Sequence, residues 1–193
     1  MNRFPGITFY LSGPFQFAKD HDWRRKLSSF LIPRLAYVLD PIVKNNDDFL
    51  ICLGGHFKKL DGVKVPTFED SVERFQELLD KGMIDEVHYK MKIIRRLDLQ
   101  MVDKADVVIA YVDLETPTFG TWEEIYHALH HGKIVLWVLD CELNKLPLWL
   151  FGVIDDLELI FRNVDELIKF LDSDEVCRKV RRCICGACWK REE

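Results

Sequence analysis

Three carboxylates stand near points where the chain changes structural character, and each is of a type that can do chemistry. Asp98 falls late in a long helical pattern leading into the strongest apolar run, Asp106-Val-Val-Ile-Ala-Tyr-Val112. Asp113 ends that run, and Glu124 lies early in the helical pattern that follows. A carboxylate at a helix N-terminus is held ionised by the dipole and by free backbone N–H groups. Facing a pocket, it can attack an electrophilic carbon. The same residues admit a purely structural account: Thr121-x-x-Glu124 is a capping box, in which the glutamate satisfies a backbone N–H of its own helix. Spacing alone leaves both accounts open.

Two further clusters have ligand-type residues. His127 and His131 are four apart, so a helix places them on one face, beside His130 and the acids Glu123 and Glu124. The sequence shows no His-Glu-x-x-His pattern and no evident Cys or Asp partner. A solvated helix end is the expectation, with no metal in the active site and no cofactor required for catalysis. Cys177, Cys183, Cys185 and Cys188 crowd the last seventeen residues and offer four soft ligands for a structural zinc or an iron–sulfur cluster. Their spacing is not that of a zinc ribbon. The interleaved Arg178, Lys179, Arg181, Arg182, Lys190 and Arg191 favour thiolates, or with Trp189 form a local nucleic-acid patch. A reduced tail is the alternative.

The elements that must position these residues alternate. Ile7 to Ser12 reads as a strand ending in Gly13-Pro14. Trp23, Leu27, Phe30 and Leu31 mark an amphipathic helix over 23–32, closed by Pro33. Leu35 to Leu39 is a second strand, stopped by Asp40-Pro41, and residues 44–66 read as a long loop. Helices are expected over Phe68–Leu79 and Ile84–Met101, and then the central strand. A helix over Thr121–His131, capped by Gly132, precedes a strand at Ile134–Leu139. A fifth strand at Leu157–Phe161 and a last helix at Val164–Leu171 complete the pattern. Such alternation predicts a parallel sheet with helices on both faces. Ligands of these sheets bind at the carboxyl ends of the strands, at the switch in strand order. That rule selects Ser12-Gly13-Pro14, Asp40-Pro41 and the turn from Asp113 to Thr121.

Composition sets the bounds. The chain of 193 residues is 48% hydrophobic and 31% charged, which excludes disordered and low-complexity classes. It fits one domain, 1–173, with a basic cysteine-rich tail at 174–193. A net charge of −5 gives no overall reason to coat nucleic acid or an anionic membrane, the tail excepted. No run approaches the roughly 18 apolar residues of a membrane span. The N-terminus lacks a signal-peptide layout, so a cytoplasmic location is expected.

In their order along the chain, Tyr10-Leu-Ser-Gly-Pro-Phe15, Trp23-Arg24, Asp40-Pro41, Asp98-Leu99, Ala105-Asp-Val-Val-Ile-Ala110 and Gly120-Thr-x-x-Glu124 form a connected set. Ala128 and Gly132-Lys133 follow in the same order. The set resembles the nucleoside 2-deoxyribosyltransferase family, which also includes nucleoside 5′-monophosphate N-glycosidases. The resemblance spans residues 7 to 139 and extends to about 170. It implies a flavodoxin-like (Rossmann-like) three-layer α/β fold with a five-stranded, mostly parallel sheet.

The resemblance also implies cleavage of a nucleobase–sugar bond, by analogy with retaining glycosidases. Glu124 matches the nucleophile that forms a glycosyl-enzyme, and a second base or water then takes the sugar. Asp98 matches a residue that passes a proton to the departing base. Tyr10 matches a tyrosine that orients the nucleophile. Ser12, Gly13, Pro14, Phe15, Asp40, Asp113, Gly120 and Thr121 are implied around the substrate, Ser12 and Gly13 through close backbone approach. Asp106 is open between orienting the sugar and capping a strand start.

Two departures pull apart. Thr118 occupies the position where transferases acting on free nucleosides commonly carry an Asp, and its hydroxyl suits phosphate. The stretch Leu150 to Asp156 resembles one that reaches into a neighbouring subunit's site, and there Asp155 and Asp156 would repel phosphate. The implied partners are therefore nucleosides or nucleotides with free bases, and further copies of the chain sharing active sites. Base transfer stands first, monophosphate hydrolysis second, and a non-catalytic nucleotide sensor third.

Overall fold

Alternating apolar runs and amphipathic helices build a doubly wound sheet. The structure, a computed structural model, describes residues 4–14, 22–41, 72–116, 118–139, 141–176 and 180. Phe15, the 44–66 loop and Cys177, Cys183, Cys185 and Cys188 lie outside the described residues. Strands β1 (Thr8–Ser12), β2 (Tyr37–Leu39), β3 (Val107–Val112), β4 (Ile134–Leu139) and β5 (Ile160–Phe161) form one sheet in the order β2-β1-β3-β4-β5. Every pairing is parallel. This is the flavodoxin-like order, whose switch point lies between β1 and β3.

Helices α1 (Asp22–Leu31), α2 (Val72–Asp80), α3 (Ile84–Lys104), α4 (Phe119–His130), α5 (Leu148–Val153) and α6 (Val164–Asp172) complete the described elements. None is long and apolar enough to cross a membrane. Side chains alternate across each strand, so the two faces of the sheet carry separate cores. Phe9, Leu11, Ile109 and Val138 pack against Leu27 and Leu31 of α1 and Leu167 and Leu171 of α6. Tyr10, Val108, Ala110 and Trp137 pack on the other face against Leu97 and Met101 of α3, Ile125 and Ala128 of α4, and Leu150 of α5.

Several boundaries differ from expectation for local reasons. The second strand starts at Tyr37, two residues late, because Leu35 takes a left-handed φ of 64°. Pro33 does not end α1 outright; it opens a 3₁₀ turn, Ile32–Arg34. The fifth strand is reduced to Ile160–Phe161, since the Asp156 carboxylate accepts Glu158 N at 2.8 Å and winds Leu157–Leu159 into a 3₁₀ turn. Helix α5 was not expected at all. Gly132 does close α4: at φ 64° it donates to Leu129 O while Lys133 N donates to Ala128 O, a Schellman closure.

One buried cation ties the first layer to the strand ends. Arg24 is 2% exposed, and Arg24, Leu27 and Leu31 follow the i, i+3, i+7 spacing of the inward face of α1. Its Nη1 donates to Leu11 O at 2.5 Å and to Asp40 Oδ1 at 3.1 Å, and its Nη2 donates to Gly13 O at 2.9 Å. The guanidinium lies 4.3 Å from the Trp23 ring centroid, and Trp23 stacks on Tyr111 at 5.0 Å. Gly13 is fixed by the same packing: a Cβ there would stand 2.6 Å from the Trp23 ring and 3.1 Å from Tyr111 O. The close approach that demands glycine comes from the protein's own indole.

Removing one partner of a buried ion pair leaves the other charge uncompensated, at about 3–5 kcal/mol. Arg24→Met is therefore expected to lower unfolding free energy by about that much in urea melts, with Asp40→Asn recovering part of the loss in the double variant. A loss within the roughly 0.5 kcal/mol of an ordinary surface change would show that the pair carries no such weight.

Candidate active site

The alternation along β1 that buries Phe9 and Leu11 on one face sends Tyr10 and Ser12 to the other. Both are fully buried. Above that face, α4 turns Thr121, Glu124, Ile125 and Ala128 inward, and α3 brings Asp98 beside its buried residues Leu97 and Met101. The Ser12 hydroxyl donates to Glu124 Oε2 at 2.5 Å, across 112 residues of sequence. The Tyr10 hydroxyl lies beside the same carboxylate, short of a closed hydrogen bond. Asp98 and Glu124 open together on a cavity of about 350 Å³ between α3 and α4, a size within the range of small-molecule sites. Met91, Ile94 and Leu99 make its apolar wall, with Gly120 on the α4 side. Arg95 reaches across its mouth to chelate Glu123, its Nε 2.8 Å from both carboxylate oxygens.

The capping-box account of Glu124 does not hold. Helix α4 starts at Phe119 with Thr118 as its N-cap, so Thr121 already lies inside the helix and Glu124 falls in the second turn. The helix end does not keep Glu124 ionised either. Burial raises its pKa from 4.5 to about 7, and the charge of Asp98 adds to the rise. The Ser12 hydrogen bond, the Tyr10 hydroxyl and the charge of Arg24 pull it down, in that order. Tyr10 is pushed well above 10, first by burial and then by Glu124 and Asp98, so it stays a neutral donor.

The other expected residues separate. Gly120 lines the cavity, and a Cβ there would meet nothing, so no packing demand explains the glycine. Thr121 is buried on the inward face of α4 and Pro14 is buried at the end of β1. The Thr118 hydroxyl is buried at the α4 N-terminus and has no hydrogen-bond partner among the described residues. Asp40 is engaged by Arg24. Asp113 organises its own turn, accepting Glu115 N at 2.9 Å and the Thr116 hydroxyl at 2.6 Å. Asp156 caps its 3₁₀ turn. Asp106 accepts Thr8 N at 2.8 Å at the amino ends of the strands, which is the strand-capping role. Arg24, Arg95 and Glu123 went unassigned as site residues. Arg24 had a signal, a cation on the apolar face of its helix; the Arg95–Glu123 pair needs the docking of α3 on α4 and had none.

Fold and site together define a doubly wound α/β domain with a buried acid–hydroxyl cluster at its switch point. No family model matches the sequence, and no curated protein does. Among solved structures, the chain is similar to a CMP N-glycosidase, BcmB, of Clostridium botulinum, at 15% identity over 86% of this chain and 97% of that one, with a TM-score of 0.45. It is also similar to a 2-desoxiribosyltransferase from Leishmania mexicana, at 14% identity over 87% and 99% of the two chains, with a TM-score of 0.46. Neither likeness carries residue roles across; those come from the side chains themselves.

A carboxyl whose folded pKa is raised contributes stability below its unfolded pKa and loses it as pH rises through the folded value. Glu124→Gln mimics the protonated form at every pH. Its thermal midpoint relative to wild type is therefore expected to climb between pH 4.5 and about 7 and then level off. A difference that stays flat across this window would mean that burial does not raise Glu124.

Proposed function

We propose that the protein is an N-glycosidic-bond enzyme in which Glu124 attacks the anomeric carbon of a nucleoside and hands the 2-deoxyribosyl group to a second nucleobase. The observation that carries this reading is the Glu124 cluster: a buried carboxylate at the switch point, held by Ser12, flanked by Tyr10, and sharing a cavity with a second carboxylate, Asp98. In the first step an ester bond forms between Glu124 and the anomeric carbon while the carbon–nitrogen bond breaks. The electron pair leaves with the base, which takes the one proton the two facing carboxylates hold between them, carried by Asp98 in the reacting form. In the second step a ring nitrogen of the incoming base attacks that carbon, its proton returns to Asp98, and the Glu124 carboxylate is released. The apolar wall of Met91, Ile94 and Leu99 suits a flat base and disfavours water as the competing acceptor.

A second reading, hydrolysis of nucleoside 5′-monophosphates, has one observation in its favour. The Thr118 hydroxyl, without a partner among the described residues, sits at the N-terminus of α4, where backbone N–H groups favour an anion. Of the two acids that speak against phosphate, Asp156 caps its own turn and Asp155 is exposed.

Incubation with deoxynucleosides plus a free base, and separately with nucleoside monophosphates, tests these readings. Base exchange is expected, falling at least about 1,000-fold in Glu124→Ala. Rates should fall as pH rises through about 7, where the two facing carboxylates lose the one proton that Asp98 must give to the base, and Ser12→Ala should move that limb to higher pH because it removes the hydrogen bond that favours the carboxylate. Free base with sugar phosphate and no exchange would select the hydrolase; no turnover on any substrate would leave a nucleotide sensor. Near-normal rates in Glu124→Ala would end the mechanism.

Self-association is part of the same proposal. Helix α5 presents Leu148 and Trp149 at 88% and 79% exposure. Light scattering is expected to give a dimer or larger assembly, and Trp149→Glu a monomer; a monomeric wild-type protein would remove the idea.

A further inference from the structure

Away from the cavity, at the amino ends of the strands, the last turns of α3 and α4 lie side by side. Asp103, next to last in α3, meets His127 and His131 of α4, and one ligand atom from each lies within 4.8 Å of the others. The sequence showed the two histidines with no evident Cys or Asp partner; α3 supplies an Asp. We propose that Asp103, His127 and His131 form a binding site for a divalent transition metal of the zinc class, with water completing the coordination.

Four observations bear on this. His127 Nε2 donates to Asp103 Oδ1 at 2.7 Å, so an ion would take the place of that proton, which is released as the metal binds. A tetrahedral ion with bonds of about 2.0–2.1 Å holds its ligands about 3.3 Å apart, so the pair need separate by only a fraction of an ångström to admit one. His131 Nδ1 lies 2.7 Å from His127 O. A carbonyl only accepts, so Nδ1 carries the proton and Nε2 of the neutral ring keeps the lone pair; a metal-ligating histidine is oriented in this way by an outer hydrogen bond. The two rings already stand together, centroids 4.2 Å apart. Finally, both helices end here, with His131 as the C-cap of α4, so two sets of terminal carbonyls add negative potential where the ion would sit. Lys133 opposes a cation by charge. Its ammonium, however, donates to Asp103 O at 2.9 Å, binding the backbone and leaving the carboxylate in place.

The ion would cross-link α3 and α4. Asp98 stands five residues before Asp103, about 7.5 Å along its helix, and Glu124 lies closer still to His127. The clamp would thus fix the spacing of the two helices that carry the carboxylates without touching the cavity.

Chelator-treated full-length protein is titrated with Zn²⁺ and with Co²⁺, alongside His127→Ala and Asp103→Asn. Wild type is expected to take one equivalent more than either variant and to show an upward shift of its thermal midpoint with Zn²⁺ that both variants lack. Loss of a ligand should weaken this equivalent by more than the about 10–100-fold typical of losing an outer partner. Metal held by the tail cysteines would give Co²⁺–thiolate absorption unchanged by the variants. Circular dichroism without metal checks their fold, and His131→Gln, at an exposed position, provides a second removal. Equal stoichiometry and equal thermal shifts in wild type and all variants would overturn the site.

Discussion

The Arg24 guanidinium is the contact on which the rest of the site depends. It lies in the layer of α1, yet its hydrogen bonds end on the carbonyls of Leu11 and Gly13, the two residues that flank Ser12. Holding the peptide on both sides of Ser12 fixes the direction of its side chain, which alternation sends through the sheet to the opposite layer and onto Glu124. Asp40 balances the charge and brings the end of β2 into the same knot. Buried ion pairs add little net stability, because desolvation offsets their attraction. What this one provides is position: a cation on one side of the sheet sets a hydroxyl on the other.

Glu124 experiences opposed influences, and burial wins. Ser12, Tyr10 and Arg24 all favour the carboxylate, but removal from water and the neighbouring charge of Asp98 outweigh them. The result is a group that changes charge near neutrality.

The parallel sheet and most of its helices were legible, because β3 and β4 are continuous apolar runs and α1, α4 and α6 carry clear helical periodicity. Glu124, Asp98, Tyr10 and Ser12 were legible as a set through resemblance to known motifs. Their environment was not. Whether Glu124 caps a helix or enters a cavity turned on α4 beginning two residues earlier than its pattern suggests. Asp40 and Asp113 lie at strand ends as expected, but their partners, a buried arginine and the next turn of chain, depend on tertiary packing and local geometry that residue type does not encode. The same holds for Asp103, whose meeting with the two histidines needs α3 and α4 docked in register.

The strands shorten from the middle of the sheet outward. β3 and β4 have six residues and β1 five, while β2 has three and β5 only two. Opening free energy follows such a gradient, with amides of the long central strands exchanging slowest and those at the margins fastest. Ser12 and Tyr10 belong to the inner strands, and Glu124 follows directly from one. Fraying of β5 would therefore leave the Glu124 cluster assembled, whereas fraying of β2 would draw Asp40 away from Arg24 and reach the cluster through that pair.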